Sequence, residues 1–349
     1  MFGSASLLPD YVHRLYSAYT AKPEKPKVVV VGYGWAGAAF TSNLDKTKYN
    51  VRVISSRPRR LNQPEMIHDL QATYKSPPSS LTMIEDDCIS VEEDKKQVVG
   101  RKAGYKYDYL VVASGGQPND FNIPGVKENC ILFHSEHQLE EVKAMAKSSN
   151  KISIVGAGPT GIELAFKLKS QSKAPVYVLE ATSTILPGFH TNLRNQVLAL
   201  MKQKDIHLLS EEKIQSVTQK DGATYLKTIN TEFVTDGKPI WTCGIKPSNF
   251  MLTVTKNPTP DAQFQLKPNI WAIGDSIRGH GPPTAQNAEQ QGKYLAEHFN
   301  TKFKNTEPYK FREFARVLDL DEEGLLIEKN GHVVKLPSAF RKIFYALID

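Results

Sequence analysis

The apolar positions of this chain fall in short runs, and two groups of runs repeat one order. Lys27–Val31 is β-branched and apolar, residues 35–44 carry a helical pattern after a Gly-rich break, and 51–54 is a second apolar run. Continuous apolar stretches of this length read as strands buried on both faces, and strand, turn, helix, strand is a βαβ unit. The order returns about 120 residues further on: Ile152–Val155, a Gly-rich turn at 156–161, a helix over 162–169 and a strand at Val176–Leu179. Two such units predict an α/β chain with two duplicated domains. Further strands are expected at 107–113 and 270–273, and a long helix at 284–299. Residues 57–80, rich in Arg, Pro and Ser, read as a long loop. The tail from Tyr309 alternates, and its Asn330-Gly331 pair marks a hairpin.

Both Gly-rich breaks have the spacing G-x-G-x-x-G: Gly32, Gly34 and Gly37, with Trp35 and Ala36 before the last, and then Gly156, Gly158 and Gly161. Between a strand and a helix this spacing suits a dinucleotide pyrophosphate. The first glycine allows the tight turn, the second lets backbone approach the phosphates, and the third lets helix and strand pack closely. The helix N-terminus then presents its N–H groups to the anion. Two matches in βαβ frames predict two Rossmann-like dinucleotide-binding domains. Glu180 lies 24 residues past Gly156, at the end of the next strand. A carboxylate there accepts from both ribose hydroxyls and repels a 2′-phosphate, so this unit prefers NAD over NADP. At the equivalent point of the first unit the chain reads Ser55-Ser56-Arg57-Pro58-Arg59-Arg60, with no acid. Serine and arginine there suit the 2′-phosphate of NADP, while serine equally suits the adenosine ribose of FAD. The pattern leaves both open.

Composition narrows the class without deciding it. The chain has 349 residues, 40% of them hydrophobic, a mean hydropathy of −0.38 and a net charge of +7. The basic excess fits anionic cofactors, an anionic membrane surface or simply a basic soluble protein. No dense Lys/Arg block with interleaved aromatics appears, which argues against nucleic acid. Cys88, Cys130 and Cys243 are far apart, so neither a dithiol redox centre nor a cysteine zinc site is expected. No other metal-ligand cluster is expected either. No apolar run approaches the ~20 residues of a spanning helix. Near the N-terminus, Val12, Leu15, Tyr16 and Tyr19 form a helical stripe without the apolar core of a secretory signal. Near the C-terminus, Phe340, Ile343, Phe344 and Leu347 form another, beside Arg341 and Lys342; it suits a membrane interface or a closing core helix.

Four blocks in order carry a resemblance to the type II NADH:quinone oxidoreductase family. They are residues 28–37; 107–115 continuing through Gln117-Pro118-Asn119 and Ile123-Pro124-Gly125-Val126; 156–163; and Ile273-Gly274-Asp275 followed by 282–292, Pro-Pro-Thr-Ala-Gln-Asn-Ala-Glu-Gln-Gln-Gly. The fourth is the most specific, because a wider reductase superfamily shares the first three. The resemblance implies an FAD domain formed by 27–130 and 262–308, an inserted NAD domain at 131–261, an N-terminal extension at 1–26 and a C-terminal region at 309–349. It turns Ser55 toward FAD and places Ala113, Gly115, Gly274, Asp275 and Ala285 around the flavin. It sets Glu163 near flavin and nicotinamide as a catalytic residue, and gives Gln286 and Gln290, four apart on one helix face, as donors to the quinone.

The implied activity is hydride transfer from NADH to flavin and two electrons onward to a quinone. The implied location is intracellular, cytoplasmic or mitochondrial, with peripheral membrane contact, and a homodimer is compatible with it. The stretch from Pro58 to Leu81 is shorter than in that family, and its usual Pro-Leu-Leu-Pro segment reads Leu61-Asn62-Gln63-Pro64. This keeps two alternatives in view: a flavin reductase with another acceptor, and a catalytically silent flavin-binding protein.

Overall fold

The computed structural model describes residues 24–304 and 307–348. The N-terminal stripe at Val12, Leu15, Tyr16 and Tyr19 lies outside them. The first unit runs β1 (Lys27–Val31), α1 (Trp35–Asn43), β2 (Asn50–Ser55), β3 (Thr82–Glu85) and β4 (Tyr109–Val112). β1 lies parallel between β2 and β4, with Val30 opposite Val53 on one side and Val111 on the other. Successive side chains of β1 enter different cores: Val28 and Val30 pack with Phe40, Leu295 and Phe299, while Val29 and Val31 pack with Phe250, Met251 and Val254. Cover on both faces is why Val28–Val31 contains no polar position.

The second unit runs β5 (Ile131–Leu132), β6 (Ile152–Val155), α2 (Pro159–Gln171), β7 (Val176–Leu179), α3 (Thr191–Gln203), β8 (Ile206–Leu209) and β9 (Ile240–Trp241). Its sheet is parallel, in the order β5-β9-β6-β7-β8. The chain then returns to the first sheet through β10 (Gln265–Lys267) and β11 (Ile270–Ala272), followed by α4 (Ala285–Asn300). The completed order is β10-β11-β4-β1-β2-β3, with β11 parallel to β4. The outgoing and returning segments, Gly116–Pro118 and Ile245–Pro247, pair antiparallel between the two sheets.

The tail forms an antiparallel sheet of β12 (Arg316–Asp319), β13 (Leu325–Lys329) and β14 (His332–Leu336), then helix α5 (Arg341–Ile348). Asn330 and Gly331 turn β13 into β14 with φ of 51° and 81°, the expected hairpin.

Two expectations need correction. Residues 57–80 are not one loop: Arg60–Leu61 pairs with Tyr74–Lys75, and Gln63–Asp69 is helical with a proline in its first turn. Leu61, Met66 and Leu70 are held in the second unit's core beside Ile162 and Leu164, a tertiary contact that no local period announces. Helix α2 begins at Pro159 rather than at 162, so the second glycine turn is itself the opening of the helix.

Helices α1 and α4 cross at Gly292, where an added methyl would stand 2.8 Å from both the Ala39 Cβ and the Phe40 backbone nitrogen. Such overpacking costs about 1–3 kcal/mol. Gly292→Ala should therefore lower the unfolding free energy by that amount, read as a lower chemical denaturation midpoint, and a midpoint equal to the parent's would refute the close crossing.

Candidate functional site

The two glycine turns have matching geometry. Gly32 (φ 101°) and Gly156 (φ 105°) adopt the left-handed backbone that L side chains avoid. A Cβ at Gly32 would meet the Ala113 carbonyl carbon at 2.7 Å, and one at Gly156 would meet Thr242 Oγ1 and Cys243 Sγ at 3.0 Å. The third glycines, Gly37 and Gly161, pack on the carbonyls of Gly32 and Gly156. The middle glycines, Gly34 and Gly158, face open space: nothing lies within 4 Å of a Cβ built on either. Both are helix N-caps with no side chain to offer, so neither helix has a side-chain cap for its first-turn N–H groups. An anion is the natural partner for such an end.

A cleft of about 420 Å³ opens at the first turn, at the carboxyl ends of β1, β2, β4 and β11. It gathers Gly32, Gly34, Trp35, Ala36 and Ser55 from the first unit with Ala113, Gly115, Gly274, Asp275 and Ala285 from later in the chain. Gly37 stands behind it. Trp35 Nε1 is buried with no hydrogen-bond partner among the described residues, and the Arg60 guanidinium lies 3.7 Å from the centre of its ring. The Asp275 carboxyl, pushed up to about 6 by burial, accepts no hydrogen bond from the described residues. Gly274 before it is held by its N–H to Gln291 Oε1 at 2.6 Å. The cleft thus carries an unspent acceptor beside an uncapped helix.

The arginines after Ser55 have found protein partners. Arg57 pairs with Glu136 at 2.8 Å, and Arg59 lies 5.0 Å over the Tyr74 ring. Ser55 Oγ donates to the Arg57 carbonyl at 2.7 Å. A larger depression of about 630 Å³, lined by residues such as Lys27, Asn50 and Thr82, lies at the amino ends of β1 to β3. Open parallel sheets bind at their carboxyl ends, so the smaller cleft is the candidate.

At the second turn Glu180 is where the spacing placed it, and it also braces the turn. Its carboxylate accepts from Ala157 N at 2.9 Å and from Thr182 N at 2.9 Å. Glu163 is outside the cleft. It points from α2 to the tail and accepts from Asp319 N at 3.1 Å. Around that contact His68, Asp319, Asp321, Lys167 and Arg341 join α2, helix Gln63–Asp69 and the tail, with Arg341 Nε 2.6 Å from Asp319 Oδ2. Burial pushes Glu163 up to about 8, with the Asp319 charge adding to it and the Asp319 N–H opposing it. Burial also holds His68 down to about 3, with Arg341 and Lys167 adding to it.

The two glutamines of α4 meet the tail as well. Gln290 exchanges both amide hydrogen bonds with the Arg312 backbone (2.9 and 3.0 Å), and Gln286 Oε1 accepts from Phe314 N at 3.2 Å. Gln286 Nε2 has no protein acceptor among the described residues. Two neighbouring amides in the same block went unnoticed in the sequence. Asn287 and Gln291 are buried, hold the His280 carbonyl together, and fix the loop that ends at α4. Asp86, Asp87 and His134 also line the cleft without having been singled out. The acids follow β3, whose short run Thr-Met-Ile-Glu gives little strand signal.

The fold and the paired turns have close parallels. Residues 26–292 match the pyridine nucleotide-disulphide oxidoreductase family, and the chain belongs to it. Within that class, it is 25% identical to a probable mitochondrial NADH-ubiquinone oxidoreductase of Schizosaccharomyces pombe, over 87% of this chain and 68% of the relative. It is 26% identical to the mitochondrial external NADH-ubiquinone oxidoreductase 2 of Saccharomyces cerevisiae, over 80% of this chain and 63% of that protein. The chain thus spans about two thirds of these relatives. In structure it superposes on NDH2 of Plasmodium falciparum in complex with NADH with a TM-score of 0.81 at 18% identity, covering 93% of this chain and 95% of that one.

The tail cluster has a measurable signature. Glu163 ionises above about 4.5 when unfolded and keeps its proton to about 8 when folded. Between these values the unfolded chain releases a proton that the folded one retains, so stability falls as pH rises from 4.5 to 8. Glu163→Gln keeps an acceptor for Asp319 N–H and removes the titration. Its stability relative to the parent should rise from pH 5 to pH 8, at a slope approaching about 1.4 kcal/mol per pH unit. A difference independent of pH would refute the buried acid.

Proposed function

We propose that this chain is an FAD-dependent oxidoreductase that takes hydride from NADH and passes two electrons to a quinone. FAD occupies the cleft at the first glycine turn, in a domain of residues 27–130 and 262–308, and NADH the second turn, in a domain of 131–261. The observation that carries this reading is the pair of uncapped turns, Gly34 and Gly158, each at the carboxyl ends of the parallel strands of its own sheet. The first cleft fits FAD chemically. The amides after Gly34 are donors suited to a pyrophosphate, and Asp275 is an acceptor suited to ribityl hydroxyls. Bound flavin supplies the two-electron carrier, and the protein binds, orients and shields it.

Glu180 braces the Ala157 turn with its carboxylate, and its remaining lone pairs can accept from the NADH ribose while its charge repels a 2′-phosphate. Gln286 keeps an amide N–H₂ for a quinone carbonyl, whereas Gln290 must release the Arg312 carbonyl to do the same. That engagement favours a second reading, in which the flavin passes electrons to another acceptor. A mitochondrial location is supported by the names of the relatives, and peripheral membrane attachment by Phe314, Phe340 and Ile343, 63%, 50% and 60% exposed in and around the tail. Among the described residues no helix is long and apolar enough to cross a bilayer.

Purified protein should be yellow, bleach on anaerobic addition of NADH and regain its colour with a short-chain quinone. A yellow protein that NADH leaves unbleached would sink the activity, and bleaching without quinone reoxidation would select the other acceptor. Glu180→Ala should raise the KM for NADH by about 10- to 100-fold, the loss of a charge-assisted contact, at unchanged flavin content. An unchanged KM would move NADH away from the second turn.

A further inference from the structure

One ring in the flavin cleft has no role in the reading above. His134 stands just beyond β5, where the chain enters the second sheet, and lines the cleft. Its Nε2 lies 3.1 Å from the Gly116 carbonyl oxygen. A carbonyl only accepts, so Nε2 carries the proton and Nδ1 of the neutral ring presents a lone pair. Among the described residues no protein donor reaches Nδ1, and that atom is not sealed from solvent. Burial and the nearby Arg57 charge disfavour the charged ring, against the Gly116 carbonyl, which favours it. The segment is fixed on both sides: Ser135 N donates to Gln138 Oε1 at 3.0 Å, and Arg57 reaches across from the end of β2 to Glu136.

An acceptor-only nitrogen selects among the parts of a bound dinucleotide. Phosphate oxygens and ring carbonyls are themselves acceptors and gain nothing from it; hydroxyl groups are donors. The sheet order decides which hydroxyls are near. β2, whose end faces the adenosine ribose in this fold, lies on one side of β1, and β4 and β11 lie on the other. Gly116 follows β4 and Asp275 follows β11, and a Cβ on Gly116 would stand 3.4 Å from the Asp275 Cβ. The bond to Gly116 sets the His134 ring itself toward the flavin side of the pyrophosphate turn, while the segment after it spans the turn and Glu136 meets Arg57 beyond the end of β2.

The geometry points to His134 as a flavin-binding residue whose Nδ1 accepts a hydroxyl of the ribityl chain, the counterpart of Asp275 beside Gly116. This rests on FAD occupying the first cleft. The assignment gives the protein two acceptors of different charge on one polyol, a carboxylate and a neutral imidazole.

The test is the affinity of flavin-stripped protein for FAD and for FAD analogues lacking one ribityl hydroxyl, read by quenching of flavin fluorescence. His134→Phe should bind FAD about tenfold more weakly, the equivalent of one buried hydrogen bond. His134→Asn, which keeps an acceptor near the Nδ1 position, should recover most of that loss. In the parent, one deoxy analogue should lose a similar factor, and His134→Phe should not discriminate that analogue from FAD. Equal FAD affinity in the parent and His134→Phe would overturn the inference, as would full additivity of the substitution with the loss of each hydroxyl. A parent that binds no FAD at all would instead overturn the function proposed for the cleft.

Discussion

The first-turn amides of α1 and α2 govern how this chain is arranged. A helix that starts on glycine, with no serine, threonine or aspartate to cap it, leaves its opening N–H groups to solvent or to a ligand. Here that happens twice, at Gly34 and Gly158, each time directly after a buried parallel strand. The surrounding features serve those two ends. Left-handed Gly32 and Gly156 aim the chain into the turn, close-packed Gly37 and Gly161 hold helix to strand, and Gly292 lets α4 close against α1. The partial positive charge of each helix end and its free donors then point at one place per domain.

The tail is the second organising element. It is a small antiparallel sheet and a helix, but its contacts reach the parts of both units that bear on chemistry. Through Asp319 it meets Glu163 on the helix of the second turn, and through Arg312 and Phe314 it meets the glutamines on α4. Arg341 closes the arrangement on Asp319 and Asp321. A buried carboxylate pair of this kind is tolerated because one member keeps its proton and the other faces a guanidinium. The side chains that the family resemblance names for catalysis are thus held against the tail, and none of them lines the cleft.

The legible part of the sequence was the part written in local periods. β1, β6 and β7 could be bounded to the residue, because strands covered on both faces leave continuous apolar runs and glycine punctuates their ends. Trp35, Ser55 and Asp275 line one cleft, although only the family resemblance, not spacing, had joined Asp275 to the other two. What stayed hidden depends on contacts far apart in the chain. Helix Gln63–Asp69 is stabilised by Met66 packing with Ile162 and Leu164, so its own short stretch gave no periodic signal. Glu163 sits in the same block as the second fingerprint, yet its surroundings are set by Asp319, 156 residues away. His134 lies in a segment with no motif, and only the pairing of the two crossing strands brings Gly116 to it.

The central claim is that two different dinucleotides occupy two different turns, one each. Amide hydrogen exchange, followed residue by residue on stripped protein, then with FAD, then with FAD and NAD⁺, reads this directly. FAD alone should protect the amides of residues 34–37 and leave those of 158, 160 and 161 unchanged, and NAD⁺ should then protect 158, 160 and 161. Protection of a single turn by both ligands, or of neither turn by either, would contradict the account.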